Sequence, residues 1–338
     1  MLLSLVVPCY NEEEVIAATH HCLLSLCQSW VERKIIQNFH LLYINDGSHD
    51  DTAMILSKLA HHDARVKVIS FSTNFGHQAA ITAGIRNAEG DAIVCLDADL
   101  QDPPEIIEAM IDKFQDGCDI VYGVRDSRAF DSYFKRLSAE WYYRMIKWMG
   151  VKIVFNHADF RLVSRRVAEA FEQYSEVNLF LRGIFPAIGF KEGFVTYERK
   201  ARRSGKTKYP LKKMLAFAVE GITSFSWFPL RLIFILGFIF FLGSLALILW
   251  ALMTKINGGA LPGWASIVIP IYFFGGVNLI SIGIIGEYIG KIYTEVKRRP
   301  LFIIDYTLNL DQKTTHIRPM KSKDNINLSL DHNVHVSK

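Results

Sequence analysis

Residues 91–101 read DAIVCLDADLQ, an apolar run that ends on two carboxylates, Asp97 and Asp99, with one alanine between them. The run predicts a buried strand over Ala92–Leu96, and side chains two apart in a strand share a face. The spacing therefore predicts that both carboxylates stand together at the strand's C-terminal end, the edge at which open α/β sheets bind ligands. Paired hard oxygens there suit Mg2+ or Mn2+ carrying a phosphorylated ligand. A solvated strand end with two turn-forming aspartates would carry the same letters, so the rest of the chain decides between them.

Working outward, short apolar runs at Leu2–Val7, His40–Asn45, Val66–Phe71 and Asp119–Gly123 predict further strands. Between them Glu12–Trp30, Asp50–His61, Gly76–Ala88 and Pro104–Gln115 carry helical periodicity and start signals, with proline in the first turn of the last. Alternating β and α elements predict a mostly parallel sheet covered on both faces. Asn11 with Glu14, and Ser48 with Asp51, have the spacing of helix caps. No GxGxxG occurs, and SGKT at 204–207 is not a P-loop, because Lys200 stands where its first glycine belongs. The opening MLLSLVVPCYNEEE has no basic start and acids directly after its short apolar stretch, so it reads as a first strand rather than a signal peptide. Five scattered cysteines without a CxxC argue for a reducing compartment rather than a disulfide framework or a zinc site. A net charge of +4 gives no reason to invoke nucleic acid.

The C-terminal third is different. No charge occurs from Leu232 to Thr254 or from Ile256 to Gly286, and each run reaches the roughly 20 residues that cross a bilayer. Lys206, Lys208, Lys212, Lys213 and Arg231 precede the first run, while Lys291, Lys297, Arg298 and Arg299 follow the second. The connecting loop carries Lys255 alone. The positive-inside rule then predicts a hairpin with both ends cytoplasmic. The expected organisation is a cytoplasmic domain over 1–210, an amphipathic membrane-surface helix over 211–228, spans at 230–254 and 264–286, a cytoplasmic segment over 287–310 and a disordered tail over 311–338.

Taken together, VVPCYNEEE (6–14), NDGSHDDT (45–52), NFGHQAAITAG (74–84), DADLQDPPE (97–105), YGVRDSR (122–128), ADFRLVSR (158–165), LRGIF (181–185) and RRSGKTKYPLKK (202–213) resemble the family-2 glycosyltransferases. Within them the likeness is to the polyprenyl-phosphate group, which includes bactoprenol glucosyltransferases and dolichol-phosphate mannose synthases. The resemblance implies a GT-A type, Rossmann-like α/β domain that binds a nucleotide sugar, followed by the two-helix transmembrane hairpin. It implies that Tyr10 and Glu12 lie near uracil and ribose, that Asp46 contacts the base, and that Pro8, Asn11, Gly47, Ser48, Ala98 and Gln101 complete the donor site. Asp97 and Asp99 would hold Mg2+ or Mn2+ at the diphosphate. Asp159 matches the proposed catalytic base; as a structural acid it would instead pair with Arg161 or Arg165. Arg202 and Lys208 match residues that close over the phosphates, and Arg125, Arg128 and Arg182 are candidates for the acceptor phosphate. His77 stands where relatives commonly have lysine or another residue, and no role follows for it.

The reaction implied is inverting transfer of a hexose, first of all from UDP-glucose, to undecaprenyl or another polyprenyl phosphate at the cytoplasmic face of the inner membrane, supplying a lipid-linked sugar for cell-envelope glycans. UDP-N-acetylglucosamine, GDP-mannose and UDP-aminoarabinose stay open as donors, and so does homo-oligomerisation. A processive polysaccharide synthase would carry Q-x-x-R-W and more membrane helices. A non-catalytic scaffold on the same fold would be expected to have lost Asp159 or a metal-site acid.

Overall fold

The first strand, β1 (Leu2–Cys9), is buried on both faces, which is why its sequence runs apolar instead of alternating. It pairs in parallel with β2 (Asn38–Asn45) on one side and with β4 (Ala92–Cys95) on the other, and β2 pairs in parallel with β3 (Val66–Phe71). Helices α1 (Ile16–Glu32), α2 (Thr52–His62) and α3 (His77–Asn87) make the crossovers, and α4 (Ile107–Gln115) follows β4 after a single 3-10 turn at Pro104–Ile106. The computed structural model describes residues 1–125, 157–174, 176, 180–198, 228–257 and 263–310.

Beyond this parallel centre the sheet is mixed. β6 (His157–Ser164) lies antiparallel between β4 and β5 (Ile120–Arg125), and β7 (Glu192–Tyr197) pairs in parallel with β5 at one edge. At the other edge β8 (Ile304–Leu308) pairs antiparallel with β3, giving the order β7-β5-β6-β4-β1-β2-β3-β8. The sequence predicts the parallel core but not the inserted β6 or the two edge strands. Helices α5 (Arg165–Glu172) and α6 (Leu181–Ile188) follow β6. Leu3, Leu5 and Val7 pack with α1, α2 and α4 on one face, and Val6, Leu42 and Ile44 with α3, α5 and α6 on the other.

Two long helices, α7 (Phe228–Ile256) and α8 (Trp264–Lys297), come next, their contact including Phe240 edge-on to Phe273 and Phe274. Among the described residues one segment, Phe273–Lys297, is long and apolar enough to cross a membrane; α7 carries the shorter apolar stretch Pro229–Phe240. α8 runs well past the expected boundary at 286, and the expected cytoplasmic segment 287–310 contributes β8 to the main sheet. The surface helix expected over 211–228, except Phe228 at its end, and the tail expected over 311–338 lie outside the described residues.

The order of strands reverses at β1, whose neighbours β2 and β4 lead away in opposite directions, so a crevice opens at the carboxyl ends of β1 and β4. α3 reaches the sheet closely enough that a Cβ on Gly84 would lie 2.1 Å from Val6 Cγ1. Helix propensity alone would make Gly84→Ala stabilising by about 1 kcal/mol, whereas overpacking costs about 1–3 kcal/mol. Here the collision is with the core and should win. We expect Gly84→Ala to lower the thermal midpoint of the purified protein by several degrees, and Val6→Ala in the same chain to recover part of it. A single variant as stable as the parent would refute this packing.

Candidate active site

The crevice at that strand edge is an open cleft of about 710 Å3. Pro8, Tyr10 and Glu12 reach it from the end of β1, Asp46 from the end of β2, and Asn74, Gly76 and His77 from the β3–α3 connection. Asp97, Ala98, Asp99 and Gln101 follow β4, Arg125 ends β5, Asp159 lies on β6 and Arg182 on α6. Asn11, Gly47 and Ser48 support the cleft from behind. Asn11 Oδ1 accepts from His49 N (2.9 Å) and Asn11 N donates to Ser48 Oγ (3.0 Å), so these side chains tie two loops together. Glu12 N reaches Thr52 Oγ1 across the same seam. The helix caps expected at Asn11 and Ser48 are absent: α1 starts after Val15 and α2 after Asp51, neither with a side-chain cap. Gly47 has φ +65°, and a Cβ there would lie 2.3 Å from the Thr73 carbonyl carbon. Only glycine fits.

Asp46 is buried and accepts three hydrogen bonds, from Phe75 N (2.7 Å), Gly76 N (2.9 Å) and Asn74 Nδ2 (3.0 Å). Burial pushes its pKa above the usual carboxylate value, against the pull of the two backbone amides and His77. A carboxylate offers about four lone-pair sites. Three are filled from within the fold.

Asp97 and Asp99 both line the cleft, but not through strand alternation. β4 ends at Cys95, and the two aspartates sit in a turn in which Leu100 takes φ +49° and Asp99 Oδ1 accepts from Gln101 N (3.1 Å). Thr19 of α1 holds this turn by donating to Ala98 O (2.6 Å). Burial, aided by Asp159, Asp102 and Asp99 and opposed by His77, raises the Asp97 pKa. The ring of His77 lies next to Asp97, its Nε2 3.5 Å from Oδ1 and 3.8 Å from Asp159 Oδ2. His77 thus bridges two acids of the site, a position that its place in NFGHQ at the start of α3 does not reveal.

Asp159 owes its place to register. Arg161 pairs with Cys95, the last residue of β4, across β4 and β6, so Asp159, two residues earlier on β6, lies at the end of β4 from which the turn carrying Asp97 departs. Asp159 and Arg161 share a face of β6, and Arg161, fully buried, donates to Asp159 Oδ1 (2.7 Å) and to Leu181 O (3.4 Å) under the ring of Phe185. Arg182 Nη2 reaches Asp159 Oδ2 at 3.3 Å. Burial opposes ionisation of Asp159, yet Arg161, Arg182 and His77 outweigh it and hold the carboxyl well below the usual range. The structural partners are Arg161 and Arg182; Arg165 instead caps the carbonyls of Ala88 and Gly90. Arg125 is held by Asp102 through contacts of 3.2–3.3 Å. Arg128, Arg202 and Lys208 lie outside the described residues. Hard oxygens at Asp97 and Asp99, neither paired with an arginine among the described residues, fit a divalent cation that takes its other ligands from phosphate and water. The described residues contain no cluster of three or more ligating side chains that could cage an ion by themselves.

A family model described as glycosyl transferase family 2 matches residues 4–171. The uncharacterized glycosyltransferase YkoT of Bacillus subtilis (strain 168) is 46% identical over 325 residues, covering 95% of this chain and 96% of its own. The prophage bactoprenol glucosyl transferase homolog of Escherichia coli (strain K12) is 43% identical over 308 residues, 90% of this chain and 98% of its own. The bactoprenol glucosyl transferase of Shigella phage SfII is 42% identical, with 90% and 97% covered. Among solved structures, a Mycobacterium tuberculosis glucosyl-3-phosphoglycerate synthase in complex with Mn2+ and UDP gives a TM-score of 0.44 at 17% identity, over 66% of this chain and 77% of that one.

The Asp159–Arg161 pair can be tested by stability. Removing one member of a buried ion pair costs about 3–5 kcal/mol because the other charge is left unpaired. We expect Arg161→Met and Asp159→Asn each to destabilise strongly, and the double variant to lose much less than the sum. Because the Asp159 pKa is depressed on folding, its contribution is complete above the unfolded value near 4 and is lost as pH falls through the lower folded value. The coupling measured by chemical denaturation should therefore persist from pH 7 to about pH 4 and shrink only below it. Additive losses at pH 7 would refute the pairing.

Proposed function

The chain belongs to glycosyl transferase family 2, and from that premise we propose that it transfers a hexose from a nucleotide sugar to the phosphate of a polyprenyl lipid at the cytoplasmic face of a membrane. The observation that carries the acceptor is the extent of the likeness. Relatives named bactoprenol glucosyl transferases match 308 residues of this chain, more than the 227 that precede α7, so the likeness includes the hydrophobic helices. Glucose from UDP-glucose is the donor sugar we propose, on the same footing.

In this reading the fourth lone-pair site of Asp46 receives an N–H of the nucleobase, and Tyr10, 42% exposed at the cleft mouth, flanks the nucleoside with Glu12. Asp97 and Asp99 would hold Mg2+ or Mn2+, which when bound offsets the charge that builds on the departing diphosphate. A phosphate oxygen of the lipid attacks the anomeric carbon from the face opposite the leaving group. The bond from that carbon to the diphosphate oxygen breaks, and the nucleoside diphosphate leaves with the electron pair. A phosphate monoester has its second pKa near 6, so the nucleophile arrives largely ionised. Asp159, held ionised by two arginines, is a weak base, and its suggested role is to aim Arg182 at the acceptor phosphate, where positive charge offsets the repulsion between two anionic reactants.

The membrane hairpin is part of the proposal. α7 has 29 residues and α8 has 34, about 44 and 51 Å at 1.5 Å per residue, against a hydrocarbon core of about 30 Å. Phe234 and Leu279 are each 72% exposed, and a two-helix surface of this kind needs lipid or protein cover. β8 rejoins the sheet that β1 begins, and the two-pass anchor we propose would bring the chain back to the same side of the membrane.

Membranes carrying the chain, supplied with polyprenyl phosphate and a panel of UDP-glucose, UDP-N-acetylglucosamine, GDP-mannose and UDP-aminoarabinose, should form a lipid-linked sugar from UDP-glucose. Transfer should stop in EDTA and fall about 100-fold or more in Asp99→Asn, the scale of a lost leaving-group stabiliser. No product from any donor would sink the reading, and full activity in EDTA would sink the metal site.

Orientation is tested separately. Tags at both termini should resist external protease in sealed spheroplasts. Cleavage of the C-terminal tag alone from outside would mean an odd number of crossings.

A further inference from the structure

The segment that leaves α8 is built against the donor side of the cleft. Four residues, Arg298–Leu301, separate the end of α8 from Phe302, whose ring stacks on Phe71 at the end of β3 (5.0 Å between centroids, 9° between planes). Phe71, 3% exposed, meets Phe75 edge-on at 5.8 Å and 86°. Ser72 N donates to Ile303 O (3.0 Å), so the backbone is fixed at the same point. From there the connection runs through residues 72–76 to the three groups that bind Asp46: Asn74 Nδ2, Phe75 N and Gly76 N. A continuous path of ring and backbone contacts therefore joins the membrane helix to the carboxylate clamp. The far end of the strand is fastened independently, by Asn309 Nδ2 to Ala60 O (2.6 Å) and Val66 O (2.9 Å).

We propose that Phe302 is a positioning residue for donor binding: by stacking on Phe71 it holds the Phe75–Gly76 backbone against Asp46, so that the segment after α8 completes the nucleotide site. The inference rests on the reading that Asp46 receives the nucleobase. It assigns donor affinity to a residue that touches neither substrate and lies 256 positions away from Asp46 in sequence, the difference 302 − 46. Removing the ring leaves Phe71 uncovered and frees the loop that supplies all three donors. The acceptor side, built from β6 and α6, is untouched.

The test uses the full-length protein in detergent with UDP and GDP as binding probes, and the transfer assay for KM. Phe302→Ala should weaken nucleotide binding and raise the donor KM about tenfold, equivalent to about 1.4 kcal/mol, with the KM for polyprenyl phosphate within twofold of the parent. Phe302→Tyr, which keeps the stacked ring, should restore parental donor KM. Asn309→Gly serves as the structural control: it keeps the positive φ of +57° and deletes both hydrogen bonds, so it should lower thermal stability while leaving donor KM unchanged. Phe302→Ala with parental nucleotide affinity would overturn the proposal, as would an equal rise in donor KM from Asn309→Gly. A parent protein that binds neither nucleotide would overturn the donor-site reading itself, a result distinct from either.

Discussion

Two carboxylates of this site, Asp97 in the turn after β4 and Asp159 on β6, lie within reach of one histidine, His77, and like charges brought together in this way need compensation. Much of the surrounding architecture answers that constraint. Arg161 is fully buried beneath Asp159, Arg182 approaches from α6, and His77 sits between the two acids from the start of α3. The compensation is uneven. Asp159 is held by two arginines and ionises readily; Asp97 has a histidine, and its carboxyl stays raised. Uncompensated carboxylate oxygens are therefore left at Asp97 and Asp99, where a divalent cation would offset them.

How far the sequence reveals this differs from element to element. The four β/α repeats up to α4 are legible because each strand is a mostly apolar run, broken by at most a few polar residues, and the helices between them carry helical periodicity. β3 is foreseen to the residue, over Val66–Phe71. β6 is not, because HADFRLVS carries Asp159 and Arg161 on one face, where periodicity looks for apolar side chains; the residues that matter chemically erase the strand's pattern. β8 is invisible for another reason. Its partner β3 is more than 230 positions earlier, by the difference 304 − 71 between paired residues, and no local signal encodes so distant a pairing. The site shows the same division. Asp46, Asp97, Asp99 and Asp159 are found by motif, but the two-residue spacing of Asp97 and Asp99 comes from a turn and not from a strand. Asn11 and Ser48 read as caps although they bond across loops, because a short polar side chain at a loop carries the same letter for either partner.

The edge strand also changes what the hydrophobic helices mean. Read alone, α7 and α8 are an anchor attached to the end of a soluble domain. With β8 in the sheet they become an insertion between two parts of one domain, entered from β7's side of the chain and left into an edge strand. The two helices thus leave and re-enter one sheet, so their stems are held by the same domain.

The same geometry bears on how little acid–base chemistry the transfer asks of the protein. Glycosyl transfer to an alcohol needs a base to take the hydroxyl proton, and a carboxylate serves best there when its pKa is raised toward the operating pH. Asp159 is tuned in the opposite direction, by contacts with Arg161 and Arg182 that would have to be broken for it to accept a proton. That tuning is a disadvantage for an alcohol acceptor and harmless for a phosphate, which comes already deprotonated near neutral pH. An acid held permanently ionised still does useful work in that case: it fixes the direction of Arg182 at the cleft and keeps Arg161 compatible with a buried strand. The contacts of Asp159 with Arg161 and Arg182 are thus compatible with an anionic acceptor, for which a base at this position would not be needed.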